Sequence, residues 1–150
     1  MTKTIMALII AAISFPVFSK DSLTGNFVSG IESSIESNGE ISSSIDIVCP
    51  AQSASGKLLI THVSYEYGKS KGVFLFKSND QPQAAMTAVV PLRPNDDFDS
   101  PIINGWEFSF KMPKGQFFVT VFKSGKVKVG VNKNGATGVK EINCKAVKPE

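Results

Sequence analysis

His62 is the only histidine of the chain, so a Ser-His-Asp mechanism would have to use it as the base. Serines are abundant, yet no Gly-x-Ser-x-Gly elbow presents one as a nucleophile. His62 falls within an alternating run, in phase with Ile60 and Ser64, which is the setting of a packed or surface strand residue. A cysteine nucleophile would require Cys49 or Cys144, the two cysteines present, to be free. Glycoside hydrolysis needs two carboxylates about 5–10 Å apart. Asp96, Asp97 and Asp99 supply such candidates, although clustered loop acids are ordinarily just solvated. The same loop carries oxygen ligands at alternating positions, Asn95, Asp97 and Asp99, as a calcium loop does. That pattern stops short: Ser100 stands where the turn glycine belongs and Trp106 where the closing glutamate belongs. No phosphate-cradling loop, dinucleotide fingerprint or metalloprotease helix motif occurs. The chain is therefore expected to be non-catalytic and free of cofactors, with Asn95, Asp97 and Asp99 as its one weak calcium candidate.

The charge pattern points to binding instead. From Asp21 to Asp46 there are five acids and no base, whereas Lys111 to Glu150 holds nine lysines and two acids. Lys123, Lys126, Lys128 and Lys133 are the candidates for engaging an anionic partner, an acidic protein or an envelope glycan. The plainer reading of the same lysines is edge-strand protection against aggregation. Tyr65 and Tyr67, followed by Lys69 and Lys71, form a second candidate recognition edge, unless their rings simply face the core. Nucleic acid is disfavoured: the net charge is only +3 and Arg93 is the sole arginine.

Met1–Ser19 has the make-up of an export leader. Lys3 supplies the positive region, Met6–Ile13 the apolar core, and Val17 and Ser19 the residues three and one before a cut. The apolar core is too short to span a bilayer of about 30 Å, no cysteine follows it for lipid attachment, and no later segment reaches membrane-spanning length. A periplasmic or secreted location follows, with residues 20–150 as one domain. In an oxidising compartment Cys49 and Cys144, 95 positions apart, are expected to form one disulfide. With 42% hydrophobic and 19% charged residues, the chain is neither disordered nor short of material for a core.

The elements that must position these residues are strands. Ile41, Ile45, Ile47 and Cys49 share one face of an alternating run; so do Trp106, Phe108, Phe110 and Met112, and Val127, Val129 and Val131. Leu59, Thr61, Val63, Tyr65 and Tyr67 alternate with Ile60, His62, Ser64 and Glu66. Phe74-Leu75-Phe76 and Phe117-Phe118-Val119 are apolar on both faces, suggesting strands in the middle of the packing. Pro113-Lys114-Gly115, Ser124-Gly125 and Asn132–Gly135 read as hairpin turns, and a final strand covers Gly138–Ala146. A three-residue loop, Ser37-Asn38-Gly39, would pair Ile35 with Ile41, Ile31 with Ile45 and Phe27 with Cys49, putting Gly39 where a left-handed residue is required. A helix over the same segment is disfavoured by its serines and by the aligned acids Glu32, Glu36 and Glu40. Between 78 and 105 the pattern is weakest; Met86–Leu92 is expected to be a short strand, with a helical turn over Gln83–Ala88, capped by Asp80-Gln81-Pro82, as the alternative.

The resulting expectation is an all-β protein: an antiparallel, immunoglobulin-like β-sandwich of about seven to nine strands with one disulfide, or alternatively a small β-barrel. The function expected is that of an exported binding module of the bacterial envelope or surface, adhesive or assembling, with its N-terminal segment adding a strand to a neighbour. The alternative is a small periplasmic inhibitor or immunity protein that blocks a toxin or hydrolase with a projecting loop, Pro94–Asn104.

Overall fold

The computed structural model describes residues 22–66, 68–78, 83–134 and 138–149. The leader, Tyr67 and the expected helix cap Asp80-Gln81-Pro82 lie outside them. A helix, α1 (Ser22–Ser37), precedes eight strands: β1 (Glu40–Val48), β2 (Gly56–His62), β3 (Lys71–Phe76), β4 (Ala84–Leu92), β5 (Gly105–Met112), β6 (Gly115–Phe122), β7 (Val127–Lys133) and β8 (Lys140–Val147). Each strand runs antiparallel to its neighbour in chain order, and β8 returns to pair with β1, closing a barrel. The expected sandwich is thus replaced by its alternative. Both architectures bury one face of each strand, so alternation does not separate them; the pairing of first strand with last does. Register shifts between Glu40 and Ser43, Ile60 and His62, and Met86 and Ala88 add the local bending that a closed sheet needs.

The inward faces fill the interior. Ile45 and Ile47, Leu58 and Ile60, Phe74, Trp106, Phe108 and Phe110, Phe117, Val119 and Val121, and Val127 and Val129 are all buried. The ring of Phe74 meets those of Phe110 and Phe117 with centroids 5.9 and 5.0 Å apart, so the barrel is packed rather than hollow. The two runs that read as apolar on both faces are ordinary barrel strands: Leu75 points out and is exposed, and Phe118 is only half-buried. The tyrosine strand is shorter than expected. It ends at His62, and the bulge after Ile60 switches the phase, so that Ile60 and Val63 are both buried. Met86–Leu92 is a strand, as expected, within the longer β4.

The largest correction is α1, where a hairpin strand was expected. Leu23, Phe27, Ile31 and Ile35 are spaced by four, which satisfies a period of two and lies close to a helical turn. Val28 separates the readings. It is fully buried beside Phe27, which a half-buried strand does not allow and a helix face does. Burial against the barrel outweighs the weak propensity of the serines, and Glu32 finds Lys123 at 3.3 Å. The Trp106 indole donates to the Val28 carbonyl at 3.2 Å, and the rings of Phe27 and Phe108 meet edge to face at 6.0 Å. The helix covers the barrel end where β5 begins and β6 finishes. Gly39 does take a positive φ, but to end a helix: its N–H bonds the Ser34 carbonyl at 2.7 Å. A Cβ there would lie 2.5 Å from the Val63 carbonyl oxygen.

Cys49 and Cys144 are disulfide-bonded. The bond follows directly on the β1–β8 pairing, whose last register pair is Val48 with Lys145. It joins adjacent strands of one closed sheet, not two facing sheets. Such a bond fits an oxidising compartment. Replacing both cysteines with Ala is expected to lower the unfolding free energy by about 2–5 kcal/mol, measured by urea denaturation, and mass spectrometry of non-reduced, alkylated protein should find no free thiol.

Candidate functional site

The connection from β4 to β5, residues 93–104, is a loop fixed by many internal hydrogen bonds. It begins with a 3-10 turn at Pro94–Asp96, in which Asn95 and Asp96 both have positive φ. The Asp97 and Ser100 amides then bond the Pro94 and Asp97 carbonyls at 3.0 and 3.1 Å. The Arg93 guanidinium reaches across the loop to the Ser100 carbonyl. The Ile102 amide bonds the Ser100 hydroxyl at 3.2 Å. At the base Ile103 is buried, the Asn104 amide bonds the Leu92 carbonyl at 2.7 Å, and the Lys123 amide bonds the Asn104 carbonyl at 2.8 Å. This brace holds two apolar side chains in solvent: Phe98 at 85% exposure and Ile102 at 58%. Asp96, Asp97 and Asp99 surround Phe98 and are exposed.

Asn95, Asp97 and Asp99, the calcium candidate, all lie exposed on this loop. The Asp97 carboxylate turns back on its own chain and accepts from the Asp99 amide at 3.0 Å. Among the described residues no three His, Cys, Asp or Glu side chains converge as a metal-binding group. Sequence reasoning identified the loop and its acids but missed Phe98 and Ile102. The available signal was an aromatic and an isoleucine between Pro94 and Asn104 that fit no strand phase.

The four candidate lysines are not one free ribbon. Lys123 pairs with Glu32 at 3.3 Å and Lys128 with Glu141 at 3.5 Å. Lys126 precedes β7 at the helix-covered end and is exposed; Lys133 closes β7 at the other end. Tyr65 is 60% exposed and lies over Trp106, with ring centroids 6.5 Å apart. It covers the indole rather than heading a strand edge, and Tyr67 lies outside the described residues. His62 sits on the barrel exterior with Nδ1 3.1 Å from Glu40 Oε1. Among the described residues its ring has no other hydrogen-bond partner. Both cysteines are in the disulfide, so neither supplies a thiolate. Among the described residues no helix is long and apolar enough to cross a membrane.

No family model matches the chain, and neither a curated protein nor a solved structure matches it.

One carboxylate is electrostatically out of the ordinary. Glu107 stands on the outer face of β5, in register with Val90 and Thr120. Burial, and then the negative charge of Glu141, raise its pKa above the usual carboxylate value. Between the unfolded and the raised folded pKa, the folded protein therefore binds more proton than the unfolded chain. Stability should fall as pH rises from the unfolded pKa, about 4.3, through the raised folded one. Glu107→Gln should flatten that slope and raise the unfolding midpoint at pH 7 while leaving it nearly unchanged at pH 4. Thermal unfolding of both proteins at the two pH values checks this.

Proposed function

We propose that this chain is an exported, non-catalytic binding protein of the periplasm or cell exterior that blocks a partner protein, its Arg93–Asn104 loop filling an apolar pocket with a basic rim. The observation that carries the reading is Phe98, 85% exposed on a loop fixed by its own hydrogen bonds. A large aromatic on a backbone already fixed before contact meets less ordering cost on binding, and aromatics are among the residue types that dominate interface energies. The acids around it supply the charge that steers a basic partner. The closed strand order favours this over the adhesive or assembly reading, which would exchange a strand with a neighbour. A closed barrel lacks the open edge for that, and the N-terminal segment buries Phe27, Val28 and Ile31 instead of offering them. The pairing of Lys123 and Lys128 within the molecule likewise favours a protein partner over an anionic glycan.

The test is affinity capture from the native envelope fraction, followed by surface plasmon resonance on the partner recovered. Phe98→Ala should weaken binding by about 30-fold or more with the thermal midpoint unchanged. Asp96→Asn with Asp97→Asn should slow association, and the wild-type association rate should fall as salt rises. His62→Asn should leave binding intact. Full retention of the partner by Phe98→Ala would remove the loop from the contact.

A further inference from the structure

We infer that the barrel end opposite α1 is a binding site for a single-chain amphipathic anion, an alkyl carboxylate with its chain in the barrel mouth and its headgroup on Lys114 and Lys133. This site is separate from the loop at the other end and does not rest on the blocking reading.

The mouth is a cleft of about 640 Å³, within the range of about 300–1,000 Å³ typical of small-molecule sites, which recur in the mouths of barrels. Its depth is set by the packed aromatic layer: Phe76 and Phe117, with ring centroids 5.1 Å apart, form the floor. Met112 and Val131 contribute to the walls. Val131 belongs to the inward set of β7 and would be core in a longer barrel; here it is 38% exposed because nothing among the described residues fills the space above it. Met112 is unbranched and adapts to irregular apolar shapes. A flexible alkyl chain lying across this floor matches a wide, shallow cleft better than a bulky ring system that would need depth.

The cations lie together on one side of the rim. Lys133 is the register partner of Gly115, next to Lys114 in the β5–β6 turn, and the Asn134 amide bonds the Lys114 carbonyl at 3.0 Å. Both lysines are exposed. Neither has a carboxylate partner among the described residues, unlike Lys123 and Lys128 at the barrel side. Gly115 makes this close approach feasible: its φ is 150°, and a Cβ would lie 2.0 Å from the Asn132 carbonyl oxygen. An extended peptide is a poorer occupant, since β5, β6 and β7 at the mouth are paired in register up to the cleft and offer no long row of free N–H and C=O groups.

The probes are decanoate, decan-1-ol and butyrate, titrated into the exported protein while amide chemical shifts are followed by NMR. Decanoate should shift residues 112–117 and 131–133 saturably. Decan-1-ol should bind the same residues about tenfold more weakly, and butyrate should not saturate. Lys114→Gln with Lys133→Gln should bring decanoate down to the affinity of decan-1-ol without changing the thermal midpoint. Met112→Gln should weaken both long-chain probes. The inference is overturned if decanoate produces no saturable shift at the mouth, or if its shifts fall at the α1 end. It is also overturned if decan-1-ol binds as well as decanoate, if the double lysine variant keeps full affinity, or if a protein segment rather than these probes occupies the cleft.

Discussion

The fold depends on one long-range seam. β1 meets β8 over three register pairs, Asp46 with Val147, Ile47 with Ala146 and Val48 with Lys145. Every other neighbour in the ring is joined by a local connection, so this is the one pairing that must be found across nearly the whole chain. Three pairs of backbone are little to hold against the entropy of closing such a loop. The Cys49–Cys144 bond, one position beyond the last pair, fixes the ends covalently. The Cys49 strand end is itself held, its amide bonding the Ser55 hydroxyl at 2.8 Å. Closure is what removes the exposed sheet edges, turns eight inward faces into one core, and leaves two differently built barrel ends.

How much of this was legible depends on whether a residue's environment is local. The strands of Trp106–Met112 and Val127–Val131 were readable because each side chain's fate follows from its own alternation. The disulfide was readable from number and compartment. Closure was not, because the register of β1 against β8 is a relation between residues about a hundred positions apart that leaves no periodic trace. The α1 segment failed for a different reason. A spacing of four is shared by both periods, and Leu23, Phe27, Ile31 and Ile35 carry no information that separates them. Val28 carried it alone, and its weight is visible only once the barrel shows that adjacent Phe27 and Val28 are both buried. The phase switch at the Ile60 bulge belongs to the same class, since one inserted residue inverts all later positions.

The candidate site was half legible for a related reason. Pro94, Pro101 and the acids mark a loop by composition, but composition cannot tell an apolar loop residue folded onto the core from one held in water. Ile103 and Phe98 illustrate the two outcomes five positions apart, one buried and one 85% exposed. The distinction comes from the brace, in which Arg93 reaches the Ser100 carbonyl and Asn104 ties the base to both Leu92 and Lys123. These are three-dimensional pairings with no sequence signature.

The packed interior also decides where binding can be sought. An eight-stranded barrel is wide enough either to be filled by its own side chains or to hold one small ligand, and Phe74, Phe108, Phe110 and Phe117 fill this one. A ligand cannot enter the middle without displacing side chains that are 0–3% exposed, and each large-to-small vacancy of that kind costs about 3–5 kcal/mol. Any ligand contact among the described residues is therefore left to the ends and the outer surface. At one end α1 completes the core and leaves the braced loop to project beyond it. At the other the aromatic layer stops short of the rim, so the last inward residues of β5 and β7 line a cleft instead of a core. The same inward pattern that stabilises the middle of each strand thus becomes surface chemistry where the strand outruns its packing partners.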